Sequence, residues 1–174
     1  MCQITPSIPS YNYIQSKYGL YLIYYNYNYD TVAQAYTSAR NIELQQNKIH
    51  ELIRKAEEVL PNSYAPYSGI HVASAILTDK GKIYLGVNVE NASFGLTMCA
   101  ERTAIFDMVT HGERKPVIVT IVTDYEEPIP PCGACRQVIA EFNPDAIIAM
   151  YSVKTKKLIV SNLNELLPSP FKIK

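Results

Sequence analysis

The chain has no excess of either charge: 16 Lys and Arg stand against 16 Asp and Glu, and no long basic run interrupts it. A protein that tracks a phosphate backbone clusters its cations, so this balance argues against a nucleic-acid partner. Long hydrophobic runs are missing too. Nothing approaches the ~18 residues of a membrane span, and the apolar stretch from Leu20 to Tyr25 is short and broken by tyrosines. With no secretory signal, a soluble cytoplasmic protein without membrane contact is expected. Histidine is scarce: His50, His71 and His111 are the only three, and none has the spacing of a metal ligand. Cysteine is scarce as well. In a reducing compartment four cysteines suit metal ligation better than a disulfide framework, and one of them, Cys2, stands apart at the terminus.

The other three cysteines organise the chain. They occur in Cys99-Ala100-Glu101 and in Pro131-Cys132-Gly133-Ala134-Cys135, with 32 residues between Cys99 and Cys132. Each motif precedes a run with helical periodicity, through Ala104, Ile105, Met108 and Val109 after the first and from Arg136 to Phe142 after the second. A helix N-terminus presents free backbone N–H groups and the positive end of the macrodipole, which favour thiolate over thiol. Three thiolates at two such ends suit one Zn²⁺ per chain, with a fourth position left for a water whose pKa falls to about 7. Glu101, two residues beyond a ligand, is placed to take the proton from that water and return it to a leaving nitrogen.

Two other chemistries compete for these cysteines. Taken alone, Cys132-x-x-Cys135 between a strand and a helix fits a thioredoxin-like dithiol equally well. Cys99-x-Glu101 decides against it, because a dithiol oxidoreductase needs neither a third cysteine nor a paired acid. A closed structural zinc site would need a fourth protein ligand, for which Cys2 is the only spare cysteine.

Elsewhere the pattern divides the chain into an N-terminal extension, residues 1–40, and a domain over residues 41–174. The extension holds nine of the 14 tyrosines, and its alternating aromatic and polar residues from Tyr24 to Tyr29 suit a strand, a disordered tail or a partner-binding arm; an irregular extension without chemistry is the favoured reading. An amphipathic helix is expected over 41–60, then a hairpin of strands 71–77 and 82–87 about Asp79-Lys80-Gly81. The β-branched run 117–123 reads as a central strand covered on both faces, followed by strands 146–151 and 157–160 and a short helix over 162–167. Strands alternating with helices imply an α/β domain of three layers on a mixed sheet. At the end of the hairpin, Asn88-Val89-Glu90-Asn91 offers two amides and a carboxylate, a set suited to sugar hydroxyls. The same residues serve equally as turn-formers that cap the strand.

Five blocks occur in order over residues 46–171: Pro66-Tyr67-Ser68, Gly86-Val87-Asn88-Val89-Glu90-Asn91-Ala92, Cys99-Ala100-Glu101-Arg102-Thr103-Ala104, Pro131-Cys132-Gly133-Ala134-Cys135-Arg136-Gln137-Val138 and Glu165-Leu166-Leu167-Pro168. Through them the chain resembles the small, nucleoside-specific cytidine deaminases. The resemblance implies an α/β/α fold with a mixed five-stranded sheet, a zinc site at two helix N-termini, and hydrolytic deamination of cytidine and 2′-deoxycytidine in pyrimidine salvage. It implies a homotetramer in which neighbouring subunits complete each site. It places Asn88 and Glu90 at the ribose, counts Val89 between them and the Ala100 backbone, at the pyrimidine edge, among the substrate-binding residues, and sets Phe171 on the base of an adjacent subunit's ligand. Arg102 and Arg136 would drain charge from the thiolates. The extension over 1–40 has no counterpart in the family. Ile70 stands where the family commonly has a base-stacking Phe, Phe94 where it has a Tyr, and Ala73-Ser74 where it has Gly-Ala. These departures bear on nucleoside preference, and they leave another cytosine-containing small molecule, such as a nucleoside antibiotic, as the alternative substrate.

Overall fold

The computed structural model describes residues 13–15, 21–23 and 32–173; Cys2 and the Tyr24–Tyr29 run lie outside the described residues. Two short strands, β1 (Tyr13–Gln15) and β2 (Tyr21–Ile23), pair antiparallel within the extension. The amphipathic helix, α1 (Val32–Val59), begins at Val32 rather than at Asn41, so the expected boundary falls inside a helix. Its residues Ile49, Leu52, Ile53 and Ala56 follow helical spacing and are all buried. Pro61 then closes the chain into a single 3₁₀ turn at Leu60–Asn62.

The domain proper continues with β3 (Val72–Thr78), β4 (Ile83–Val87), α2 (Ala100–Thr110), β5 (Pro116–Thr123), α3 (Gly133–Phe142), β6 (Ile147–Ser152), β7 (Leu158–Asn162) and α4 (Leu163–Leu166). The five strands from β3 onward form one sheet in the order β4-β3-β5-β6-β7, and only the β5–β6 pair is parallel. The strands fall within a residue or two of their expected bounds. The β-branched run does become the central strand: Val119 and Ile121 face α2 and α3, while Ile118 and Val122 face α1. Each sheet face is thereby covered, which gives the three layers. Among the described residues no helix is long and apolar enough to cross a membrane.

Register brings the site together. Val72 pairs with Thr123 and Ala73 with Val87, so the C-terminal ends of β4 and β5 lie at the same end of the sheet. Both lead into loops that end at helix N-termini, those of α2 and α3. The α2 helix packs tightly on β4: a Cβ on Gly86 would meet the Ala104 nitrogen at 2.4 Å and the Ala100 carbonyl oxygen at 2.5 Å. Only a residue without a side chain lets that helix sit so close to the strand.

Candidate functional site

Cys99 is the N-cap residue of α2 and Cys132 that of α3, each in extended backbone conformation with no side-chain cap of its own. Cys135 follows one turn into α3 and is fully buried. The Sγ atoms of Cys132 and Cys135 are 3.4 Å apart, those of Cys99 and Cys132 3.8 Å, and all three lie within 4.8 Å of one another. Tetrahedral Zn–S bonds of ~2.3 Å separate their sulfurs by about 3.8 Å, so the cluster is already spaced for that ion. Without a metal, the hydrogen bond with Cys135 is the main force that pulls the Cys99 thiol down to about 5, and the Arg102 guanidinium adds to it. The same bond, followed by burial, pushes Cys135 up. The proton between these two sulfurs therefore stays on Cys135, from which a bound cation would displace it.

Glu101 is 4% exposed, and burial is the main cause that pushes its carboxyl up to about 7, with the Cys99 thiolate adding to it. Its own backbone N–H and the Cys135 thiol act in the opposite direction. The group therefore sits beside the sulfurs, and in the metal-free protein its carboxyl titrates near neutrality. The shift carries a stability consequence for the metal-free protein. The folded-state value lies above the unfolded one of 4.5, so the stabilisation is complete below pH 4.5 and is lost as pH rises through 7. Above pH 7 the native state holds a buried carboxylate at a cost of up to about 3 kcal/mol. Glu101→Gln is accordingly expected to stabilise the metal-free protein at pH 8 and to change little at pH 4.5, read by denaturant unfolding at both values.

Arg102 reaches the cluster: its Nη2 lies 3.5 Å from Cys99 Sγ and 3.5 Å from the Thr97 carbonyl oxygen. Arg136 does not behave as expected. Its Nε donates to the Pro131 carbonyl at 2.7 Å and its Nη1 to the Leu166 carbonyl at 2.8 Å. It ties the residue before Cys132 to the end of α4, and backbone oxygens take up the charge that was expected to face sulfur.

A second set of residues gathers beside the cluster. Val89 and Met98 exchange backbone hydrogen bonds of 2.9 Å each, which joins the strand end of β4 to the approach to Cys99. Asn88 is largely occupied within the fold: its Oδ1 accepts from the Val72 N–H and the Ser63 hydroxyl, and its Nδ2 donates to the Ile70 carbonyl. The strand-capping role is thus present in the structure, with one amide hydrogen left over. Glu90 Oε2 accepts from the Tyr67 and Ser68 N–H groups at 2.8 and 3.1 Å, and Oε1 from the Ser68 hydroxyl. The hydroxyl first, then the Tyr67 amide, hold the Glu90 carboxyl below the usual carboxylate range. An open cavity of about 310 Å³ is lined by Tyr67, Ser68, Glu90, Phe94 and Thr97, with the Tyr67 and Phe94 rings edge to face at 5.9 Å. That volume suits a small ligand.

Other participants had no local signal. His71 Nδ1 lies 2.8 Å from Asp124 Oδ2, and its backbone N–H donates to Oδ1 of the same carboxylate at 3.2 Å. The pair fixes the start of β3 to the start of the loop that delivers Cys132. Ser152 Oγ donates to the Tyr125 carbonyl, Thr155 Oγ1 to that of Glu126, and Lys157 pairs with Glu127, pinning the same loop from the other side. Ala100 is fully buried against Gly86, and Phe171 is 71% exposed at the far end of the chain.

Residues 46–151 match the family model of the cytidine and deoxycytidylate deaminase zinc-binding region. A cytidine deaminase of Halalkalibacterium halodurans is 42% identical over 120 residues, which cover 69% of this chain and 91% of that protein. A blasticidin-S deaminase of Bacillus cereus is 30% identical over 126 residues, covering 68% of this chain and 88% of its own. Among solved structures, the cytidine deaminase of Burkholderia pseudomallei superposes with a TM-score of 0.67 at 40% identity, covering 70% of this chain and 98% of that one.

Proposed function

Because the chain belongs to the cytidine deaminase family, we propose that it converts cytidine and 2′-deoxycytidine with water to uridine and 2′-deoxyuridine and ammonia. The observation that carries this reading is the buried Glu101 carboxyl set beside three converging sulfurs, spaced for one tetrahedral metal ion. The sulfurs of Cys99, Cys132 and Cys135 would hold Zn²⁺, whose Lewis acidity when bound lowers the pKa of a water. Glu101 accepts one proton of the attacking water and delivers it to the ring N3, where it stays; it then takes the second from the hydroxyl on C4 and delivers it to the amino nitrogen, so that the C4–N bond breaks, ammonia leaves and the C4 carbonyl forms. The Arg102 guanidinium offsets negative charge at Cys99. Arg136 acts at one remove, by holding the Pro131 carbonyl that precedes Cys132.

On the substrate side, the Ala100 backbone at the start of α2 meets the pyrimidine edge. The remaining lone pair of Glu90 and the remaining amide hydrogen of Asn88 take the sugar hydroxyls, and the Val89–Met98 bridge holds that cradle against the metal helix. The cavity lining contains one carboxylate and no cation, which favours an uncharged sugar over a phosphorylated one. Phe94, Leu96, Tyr64 and Tyr67 are each more than half exposed around this opening. Such a rim on a folded domain is a surface for another chain, which supports assembly into a homotetramer. Phe171, projecting from the tail, would contribute its ring to a neighbouring copy's site. The same reading places the protein in the cytoplasm, in pyrimidine salvage.

Purified protein offered cytidine, 2′-deoxycytidine, cytidine 5′-monophosphate and blasticidin S separately is expected to consume the first two and spare the others. Consumption of blasticidin S alone would replace this substrate assignment with the antibiotic one, and consumption of the monophosphate as fast as cytidine would contradict the charge argument.

A further inference from the structure

The tail beyond α4 has few means of staying in place. Pro168 and Pro170 remove two N–H donors and stiffen the chain, and Phe171 and Ile173 are 71% and 87% exposed, so packing holds neither. One side chain supplies what packing does not. Gln137 Nε2 donates to the Phe171 carbonyl at 2.9 Å, and the Phe171 N–H donates to Gln137 Oε1 at 3.0 Å. A carboxamide that donates to and accepts from one residue, through an N–H and a C=O like those of a peptide, copies the pairing of a β-ladder. Gln137 is itself fixed, since it lies on α3 two residues beyond Cys135, in the helix whose first turn carries two of the three clustered cysteines. The tail is thereby referred to the metal helix through a single residue.

We propose that Gln137 is the positioning residue of the tail: its carboxamide locks the backbone of Phe171 to α3 and so sets where that ring meets substrate. The clamp stands on geometry alone, and the contact with substrate rests on the deaminase reading above. Gln137 touches no reacting atom under this assignment. Two hydrogen bonds to a rotatable, exposed tail remove most of its freedom in advance, which lowers the entropy lost when the ring closes on a base.

The test compares the full-length protein with Gln137→Met, Phe171→Ala and the double variant. Methionine keeps the length of the side chain and removes both hydrogen bonds. Hydrogen exchange reads the clamp directly: the Phe171 amide is expected to be protected in the wild type and to exchange at least tenfold faster in Gln137→Met. Kinetics read its purpose. Each single variant is expected to raise KM for cytidine about tenfold with kcat within twofold and metal content unchanged, and the double variant to be no worse than Phe171→Ala. Equal exchange in wild type and Gln137→Met would overturn the clamp. A KM unchanged by Gln137→Met, or effects that multiply in the double variant, would overturn its action through Phe171. A wild type that turns over no cytidine would overturn the deaminase reading and the ring's contact with substrate, while the exchange data would still decide the clamp.

Discussion

Glu101→Gln is expected to lower kcat for cytidine by about 10²- to 10⁴-fold while the metal content stays at the wild-type level. The amide matches the carboxylate in shape, so the α2 N-terminus and the spacing of the three sulfurs are preserved. It cannot accept a proton, and among the described residues no second acid is placed beside the sulfurs: Glu101 is the buried carboxyl whose burial and neighbouring Cys99 thiolate bring it to about 7. KM should change less than kcat, since the sugar and base contacts assigned to Glu90, Asn88 and Ala100 are untouched. Steady-state kinetics and metal analysis on the same preparation check this. A kcat within tenfold of wild type would remove Glu101 from the proton path.

Gly86→Ala is expected to be the most damaging single methyl in the domain. Its Cβ would stand 2.4 Å from the Ala104 nitrogen, 2.5 Å from the Ala100 oxygen and 2.9 Å from Thr103 Cβ. Two of these are backbone atoms and the third is a branch point, so no flexible side-chain end can swing aside and α2 itself must move. Overpacking of this kind costs about 1–3 kcal/mol or more. Because Cys99 and Glu101 ride on the first turn of α2, the displacement also separates the sulfurs of the two helices. Denaturant unfolding should show the loss of stability, and metal titration a weaker site. Gly95→Ala is the control: a Cβ there meets nothing within 4 Å, and the backbone is not left-handed. Equal behaviour of the two variants would contradict the close packing of α2 on β4.

The parts of this molecule that can be read along the chain share one property: their signal is local. Cys99-x-Glu101 and Cys132-x-x-Cys135 are short spacings at helix starts, and the 117–123 run declares a central strand because β-branched residues on both faces suit burial on both sides. The parts that could not be read are pairings at long range. Arg136 looked like a charge partner for sulfur because it follows Cys135, yet its hydrogen bonds go to Pro131 and to Leu166, 30 residues on. Asn88 left a sugar contact and a strand cap equally open, and the structure shows the cap, through Val72 and Ile70. His71 had no spacing to recommend it and is joined to Asp124 across 53 positions. The start of α1 was misplaced for a different reason: tyrosine-rich composition dominates residues 1–40, while Ala33, Ala35 and Ala39 within it are good helix formers.

The most direct test of the central claim is to follow loss of cytidine by ultraviolet absorbance and zinc by elemental analysis on one freshly purified, reduced sample, before chelation, after it, and after zinc is restored. The account predicts about one zinc per chain with turnover, loss of both on chelation, and return of both together. Undiminished turnover in the metal-depleted sample, or a fully reduced protein that neither carries nor takes up zinc, would contradict it and return Cys132 and Cys135 to dithiol chemistry.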